Sequence, residues 1–162
     1  MTDRFVREAR ATDAARIAEI YNEGIADRIA TFETDLRDKD QIAAWFSNGY
    51  PVFVAGAHDG VMAYAVAFPY RTRPCYDGVR EFSIYVAREG RGKGFGRTAL
   101  SALIEDVRRR GWWKLVSRIF PENVASLGLC EALGFRRVGT YEKHGKLDGV
   151  WRDVVIVEKL LV

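Results

Sequence analysis

A glycine-rich turn between an apolar strand and a long helix constrains the fold of this chain more than any other feature. The turn, Arg91-Gly92-Lys93-Gly94-Phe95-Gly96, follows the apolar run 79–86 and precedes a helical pattern that ends near Arg110. The first N–H groups of a helix have no partner within it and lie at the positive end of the helix dipole. They form an anion site, and glycines let a bulky phosphate approach the backbone. The segment therefore predicts a phosphate-binding loop, with a plain helix-capping turn as the alternative.

The residues of the turn and its place in the chain exclude two common phosphate-binding motifs. A Walker A loop needs Gly-Lys-Ser/Thr after a four-residue spacer, which is absent here. A dinucleotide fingerprint lies in the first β-α unit of a parallel sheet, with an acidic residue about 20 residues further on. This turn lies past the middle of the chain, after a run of strands that we expect to be antiparallel.

Hydrophobic periodicity predicts one domain, spanning residues 1–162, in the order β-α-α-β-β-β-α-β-α-β-β. Thr12 or Asp13 is expected to cap the first helix and Asp38 the second. Strands are expected at 4–7, 51–57, 61–68, 79–86, 113–119, 136–141 and 150–160. The connections include a tight His58-Asp59-Gly60 turn, an irregular loop at 69–77 and a polar loop at 143–148. This order favours an α+β fold whose mixed sheet carries helices on both faces.

Composition and charge argue against several classes of partner. The net charge is +3, and no Lys/Arg run reaches the length of a basic patch, so no nucleic-acid partner is expected. No stretch approaches the roughly 20 apolar residues of a membrane span, and residues 1–20 lack the apolar segment of a secretory signal. Two cysteines and two histidines show no metal-binding spacing, so we expect no metal and a cytoplasmic protein with reduced thiols.

Two sequence blocks at matching separation resemble the GNAT superfamily of N-acetyltransferases. Residues 91–96 match its Arg/Gln-x-x-Gly-x-Gly/Ala signature. About 30 residues later, Asn123, Ala125-Ser126, Leu129, Glu131 and Gly134-Phe135 match its Asn-x-x-(Ala/Ser)…Glu-x-x-Gly-Phe run. The resemblance covers essentially the whole chain. It implies a central, mostly antiparallel, twisted sheet of about seven strands with helices on both faces.

Further segments are similar to the phosphinothricin acetyltransferase branch of that superfamily. Two of these segments, 20–22 and 31–34, lie at the end of the first predicted helix and just after it. Two more are the loop 71–76 and the strand segment 81–86 that follows it, and the last is 148–154, where the final strand begins. Segments 21–28 and 117–123 look like the arsinothricin-resistance members of the branch. The resemblance implies an N-acetyltransferase that moves the acetyl group of acetyl-CoA to the α-amine of a small amino acid analogue with a second anionic group. Phosphinothricin, methionine sulfoximine and arsinothricin are acceptors of this type, and acetylation would give resistance.

The resemblance also implies a map of the acetyl-CoA site. The backbone of Ile84, Tyr85 and Val86 would bind the pantetheine arm in the manner of an added strand. The Asn123 side chain would reach the pantetheine from the other side. The pyrophosphate would be held by the amides of the glycine-rich segment, Gly92, Lys93, Gly94, Phe95, Gly96 and Arg97, with charge added by Arg91 and Lys93.

Two residues are candidates for proton transfer. An amine is mostly protonated at neutral pH and needs a base, and Glu81 matches the acidic residue proposed for that role in the phosphinothricin enzymes. Cys130 stands where many family members have a tyrosine, and the phosphinothricin enzymes a histidine, that protonates the leaving thiolate. A thiol has an ordinary pKa near 8.5, so Cys130 is a candidate acid, with core packing as the alternative.

Acceptor contacts are expected from two segments. Phe32 and Glu33 follow the first helix, and Arg71, Arg73 and Tyr76 lie in the loop before the catalytic strand. Arginine suits bidentate contact with a carboxylate or phosphinate. His144 either borders the site or is a plain surface residue. The resemblance further implies a homodimer.

Two other functions stay open at this point. The acceptor can be another amine, such as a protein N-terminus, a polyamine or an aminoglycoside, although cationic acceptors favour an acidic cleft. The chain can also be a CoA-binding module without catalysis, which the cysteine at position 130 favours and Glu81 opposes.

Overall fold

The computed structural model describes residues 3–58 and 60–162. These residues form seven strands and four α-helices, with short 3-10 turns at Ala11–Asp13, Pro74–Tyr76 and Arg88–Gly90. The strands are β1 (Phe5–Glu8), β2 (Val52–Ala57), β3 (Gly60–Pro69), β4 (Val79–Val86), β5 (Lys114–Ile119), β6 (Arg136–Leu147) and β7 (Val150–Leu160). The helices are α1 (Ala14–Asp27), α2 (Lys39–Ser47), α3 (Phe95–Arg109) and α4 (Val124–Ala132). The predicted element order is confirmed.

All seven strands form one sheet in the order β1-β2-β3-β4-β5-β7-β6. The β4–β5 pair is parallel, and the other neighbouring pairs among the described strands are antiparallel. Such a sheet confirms the expected mixed, mostly antiparallel fold. A parallel neighbour needs a crossover connection, which α3 supplies between β4 and β5.

The two faces of the sheet bury different helices. On one face, α1 and α2 bring Ile17, Ile20 and Ile42 against Val54 and Tyr64 of the central strands. The opposite face packs α3 and α4 in a larger core, which is built by residues including Ala55, Phe82, Leu100, Leu103, Val107 and Leu127. Neighbouring strand residues point to opposite faces, so Val54 and Ala55 belong to different cores.

Strands β4 and β5 diverge midway along their length. Their register runs from Val79 with Lys114 to Glu81 with Val116. At the point of divergence the Ser117 hydroxyl donates to the Phe82 carbonyl at 2.9 Å. Beyond it a gap of about 40 Å³ opens between the strands. Backbone groups of β4 beyond Glu81 therefore face a cleft on this side.

The helix caps agree in part with expectation. Asp38 forms a reciprocal capping box with Gln41, each side chain accepting the other's backbone N–H at 2.9 Å. Asp13 occupies the position before α1, but its side chain does not cap that helix. Its carboxylate accepts two hydrogen bonds from Arg7, at 2.7 and 3.0 Å, and one from the backbone N–H of Arg10.

The predicted loop at 143–148 is wrong, because most of it belongs to β6, which extends to Leu147. Polar residues hide the strand in the sequence, but its backbone pairs with β7 up to Leu147 opposite Val150. An irregularity between Tyr141 and Gly145 interrupts the ladder, and there the Lys143 N–H donates to Asp153. The predicted 69–77 loop contains the 3-10 turn Pro74–Tyr76.

The turn predicted at residues 58–60 includes Asp59, which lies outside the described residues. The hairpin around it is confirmed, since Ala57 pairs with Gly60. None of the helices in the described part of the chain has the length and apolar character required to span a bilayer.

Candidate active site

A cleft of about 320 Å³ lies between the end of α1, the outer half of β4, the start of α3 and the start of α4. We call it the glycine-loop cleft. The residues that line it are Gly24, Asp27, Ile29, Ala30, Ile84, Tyr85, Val86, Arg91, Gly92, Gly94, Gly96, Arg97, Asn123, Ala125, Ser126 and Leu129. Most of the residues predicted to bind the cofactor are therefore brought together at one surface.

The backbone of the loop has the conformation that its glycines were expected to allow. Gly92 and Gly94 have φ angles of 76° and 87°, in the left-handed region that other residues rarely adopt. Gly96 lies where α3 meets β4, and a Cβ there would be 3.0 Å from the Val86 side chain. The amides of the first turn of α3 lack partners within the helix, so the loop presents N–H groups at a positive helix end.

Arg91 holds the loop in place through its side chain. Its guanidinium donates to Asp27 at 2.7 Å and to the Val86 carbonyl at 3.3 Å. Arg88 donates to the same Asp27 at 2.8 Å. These bonds, from Arg88 first and then Arg91, hold the pKa of the Asp27 carboxyl below its usual range. Asp27 thus joins the end of α1 to the loop.

The side chains of two loop residues, Lys93 and Phe95, do not line the cleft. The Phe95 ring is buried in the core, with the Arg4 guanidinium 4.4 Å from its centre. Lys93 is exposed and does not line the cleft. The expected contributions of these two residues are therefore limited to their amides, and the charge expected from Lys93 lies outside the lining.

The outer half of β4 presents its backbone to the glycine-loop cleft. Ile84 and Val86 line the cleft and also pack against the larger core. Tyr85 points to the other face, stacked between Tyr21 and Tyr64 at ring separations of 5.0 and 5.5 Å. Burial raises the pKa of the Tyr85 phenol well above its usual value. Packing therefore fixes the side chains of this strand and leaves its backbone for a ligand.

The first turn of α4 forms the opposite wall. The Asn123 side-chain oxygen accepts the Ser126 N–H at 3.3 Å, so Asn123 caps the helix. Asn123, Ser126 and Leu129 follow one another at helical spacing on the cleft side.

Cys130 lies on the other side of α4. Its side chain is fully buried in the larger core and lines none of the clefts described here. Burial raises the pKa of its thiol to about 12. The structure therefore places Cys130 in the core and not in the glycine-loop cleft, which favours the core-packing alternative over the proton-donor interpretation.

A second opening lies beside Glu81 and consists of two adjoining cavities of about 590 and 330 Å³. We call it the Glu81 cleft. Both cavities are lined by Glu81, Ser117, Arg118 and His144. The 40 Å³ gap between β4 and β5 shares Ser117 and Arg118 with this cleft, and Asn123 and Ser126 with the glycine-loop cleft. The two clefts thus adjoin the same gap from opposite sides.

Glu81 is partly exposed, and its Oε1 lies 3.3 Å from the Nε of Arg118. This ion pair could not be foreseen from the sequence, since the two residues come from different strands. Arg118 is one of the site residues that the sequence analysis did not assign, together with Asp27, Ser117 and Ser126. Ser126 belongs to the Asn123 family run and so had a sequence signal, whereas no local signal distinguishes Asp27 and Ser117 from ordinary helix and strand residues.

Four of the five expected acceptor residues line the Glu81 cleft. Arg71 and Tyr76 line the larger cavity, and Phe32 and Glu33 line the smaller one. Phe32 packs edge-on against Phe120 at 4.8 Å, and Glu33 pairs with Arg37 at 3.0 Å.

Arg73 is the exception among these residues. Its exposed guanidinium lies 5.8 Å from the Tyr76 ring centre, outside both cavities. His144 is exposed but lines both cavities, so the alternative in which it borders the site is the one that the structure shows.

Comparison with known proteins identifies the family. Residues 17–135 match the acetyltransferase (GNAT) family. The chain belongs to the GNAT acetyltransferases. Like them it is an N-acetyltransferase that uses acetyl-CoA, and the geometry of the glycine-loop cleft is compatible with that donor.

Relatives of this GNAT chain act on amino acids according to their names. It is 36% identical to the L-amino acid N-acyltransferase MnaT of Escherichia coli K12, over 94% of this chain and 91% of the relative. It is 34% identical to an L-methionine sulfoximine/L-methionine sulfone acetyltransferase of Pseudomonas aeruginosa PAO1, over 94% and 92%. The crystal structure of a phosphinothricin acetyltransferase from Sinorhizobium meliloti in complex with acetyl-CoA superimposes with a TM-score of 0.90 at 34% identity, covering 97% and 88%.

Proposed function

We propose that this enzyme acetylates the α-amine of a small amino acid analogue, either one with a second anionic group, such as phosphinothricin or arsinothricin, or the neutral methionine sulfoximine. The observation that carries the proposal is the position of Glu81, a carboxylate in an arginine-containing cavity that shares Ser117 and Arg118 with the gap leading to the glycine-loop cleft. The phosphinothricin acetyltransferase neighbour supports the anionic acceptors, and the names of the two relatives support amino acid acceptors more broadly. Acetylation of such an analogue would give resistance to it.

The glycine-loop cleft binds acetyl-CoA in this proposal. Amides from Gly92 to Arg97 hold the pyrophosphate, where the left-handed glycines and the α3 dipole favour an anion. The backbone of β4 from Ile84 to Val86 pairs with the pantetheine arm, since β5 has diverged and leaves this edge open. The Asn123 side chain faces the arm from the start of α4. Arg91 acts indirectly, by fixing the loop to Asp27.

The reaction joins the amine nitrogen to the acetyl carbon and breaks the carbon–sulfur bond. The ammonium group of the acceptor first loses a proton to the Glu81 carboxylate, directly or through one water. The amine then attacks, and a backbone N–H of β4 stabilises the oxyanion of the tetrahedral intermediate. As the intermediate collapses, the nitrogen gives its second proton to solvent and CoA leaves as the thiolate; since Cys130 lies in the core, that side chain donates no proton to the sulfur.

An assay of thiol release with a panel of acceptors tests this function. Phosphinothricin, methionine sulfoximine and arsinothricin are compared with a peptide N-terminus, a polyamine and an aminoglycoside at saturating acetyl-CoA. Turnover with an amino acid analogue, and little with the cationic acceptors, supports the proposal. Failure of all three analogues while a cationic acceptor or a peptide reacts refutes the substrate class. Binding of acetyl-CoA without any turnover favours the non-catalytic module.

The enzyme is further proposed to be a homodimer. The support is the exposed apolar side chains of the β6–β7 hairpin, with Val138, Tyr141 and Val150 on one face and Trp151 on the other, each about half exposed or more. Burial of such residues between two copies is favourable. Analytical ultracentrifugation of the wild type and of Trp151→Lys tests this: a dimer that the substitution dissociates supports the proposal, and a monomeric wild type refutes it.

A further inference from the structure

Arg118 lies at the centre of the site without an assigned role. It is on β5 directly after Ser117, where β4 and β5 diverge, and its side chain lines both cavities of the Glu81 cleft and the gap beside them. About 42% of the side chain is exposed. Its guanidinium is therefore accessible to any molecule that approaches Glu81.

The partner of Arg118 is the residue proposed as the base. Glu81 can take a proton from the acceptor only with a lone pair that points towards the amine. In this structure the Oε1 of Glu81 faces the Nε of Arg118 at 3.3 Å. An exchange of partners is inexpensive here, because a partly exposed ion pair contributes little to stability.

Besides Arg118, the cationic side chains that line the larger cavity are Lys114 and Arg71. Lys114 pairs with Glu158 at 3.1 Å, and Glu158 also pairs with Arg136 at 2.6 Å. Arg71 lies over the Tyr70 ring at 4.2 Å, and its guanidinium donates to the Tyr70 carbonyl at 3.0 Å. Arg118 and Arg71 are thus two arginines of one cavity whose planar groups suit an amino acid with two anionic ends.

We infer that Arg118 binds the second anionic group of the acceptor, which replaces Glu81 as its partner and leaves Glu81 to accept the ammonium proton. The inference rests on the proposed function and deepens it. An acceptor with a phosphinate or a second carboxylate makes this exchange. An acceptor of similar shape with a neutral sulfone does not, so Arg118 becomes a determinant of acceptor charge.

Arg118→Gln and Arg118→Lys test the inference. Steady-state kinetics at saturating acetyl-CoA compare phosphinothricin, which carries the second anion, with methionine sulfone, which does not. Arg118→Gln removes a hydrogen bond to a charged group. From the usual contribution of such a bond we expect kcat/KM for phosphinothricin to fall roughly 10- to 100-fold, mainly because KM rises. For methionine sulfone the change stays within about threefold, the spread that context gives such effects. Arg118→Lys keeps the charge and recovers part of the loss.

The matched control is Arg137→Gln. Arg137 also pairs with a glutamate, Glu131 at 2.9 Å, but it lines neither cleft. The control is expected to keep the wild-type ratio of kcat/KM for the two acceptors. Equal losses on both acceptors in Arg118→Gln, or no loss on phosphinothricin, would overturn the inference.

A binding titration separates this inference from the proposed function. Phosphinothricin is titrated into the wild type and Arg118→Gln in the presence of CoA. Weaker binding by the variant supports the role of Arg118 even if the wild type turns over neither acceptor. The absence of turnover in the wild type would refute only the proposed function. Equal affinity of the two proteins overturns the inference even if the wild type is active.

Discussion

Replacing Gly92 by alanine tests whether the glycine-rich loop binds acetyl-CoA. Gly92 has a φ of 76°, and a Cβ at this position would meet no atom within 4 Å. The substitution therefore adds backbone strain without a clash. Gly49, just after α2, has a φ of 73° and an equally open surrounding. Gly49→Ala is a control with the same strain at a position that does not line the cleft.

The magnitude follows from the cost of the left-handed conformation, about 1–2 kcal/mol for a residue with a Cβ. At Gly49 this strain lowers the free energy of unfolding by that amount, or roughly 2–8 °C in Tm. The loop at Gly92 can instead relax in the free protein, and binding must then restore the strained conformation. The Kd for acetyl-CoA rises by about 5- to 30-fold, since about 1.4 kcal/mol corresponds to a factor of ten.

Isothermal titration calorimetry with acetyl-CoA and thermal unfolding measure both quantities. Gly92→Ala should bind more weakly, while Gly49→Ala should be destabilised and bind like the wild type. Normal binding by Gly92→Ala, or equal weakening by both variants, would refute the assignment of the pyrophosphate to this loop.

Three further predictions concern protons. Glu81→Gln should lower kcat by about 10²- to 10⁴-fold, as for the loss of a general base, with an unchanged calorimetric Kd for acetyl-CoA; retained kcat contradicts its role. Cys130→Ala should keep kcat. In the wild type, Ellman's reagent at pH 8 should label the exposed Cys75 but not Cys130, because the buried Cys130 thiol has a pKa of about 12 and stays protonated. Rapid labelling of both thiols would contradict the assignment of Cys130 to the core. Asp13→Asn should destabilise the protein by about 1–3 kcal/mol in urea unfolding at pH 7. The Arg7 bonds hold the pKa of Asp13 below its usual range, so this stability is present above the unfolded pKa of about 3.9 and is lost as pH falls. A variant as stable as the wild type at pH 7 contradicts that contribution.

The sequence predicted those elements whose hydrophobic pattern is local. The strands around Val54 and Phe82 alternate or run apolar, and α3 shows a clear amphipathic period. The outer part of β6 was missed because Glu142, Lys143 and His144 carry no alternation. That segment is a strand because of its partner β7, and pairing across a hairpin is not written in one strand alone.

The residues of the candidate site likewise separate into those that the sequence predicted and those that only the fold brings together. The glycine-rich loop was predictable, since its chemistry depends on neighbouring residues of one segment. The Asp27–Arg91 bond and the Glu81–Arg118 pair join residues from different elements, which only the fold brings together. Cys130 shows a different limit: a family motif gives the position of a residue on α4 but not the side on which its side chain lies.

Transfer of a carbon-13 label from acetyl-CoA to phosphinothricin is the most direct test of the account. NMR follows the labelled carbonyl during incubation with the wild type, and with Glu81→Gln as the control. The account predicts that the thioester signal is replaced by an amide signal, at a much lower rate in the variant. A thioester signal that persists, or is replaced only by free acetate, would contradict it.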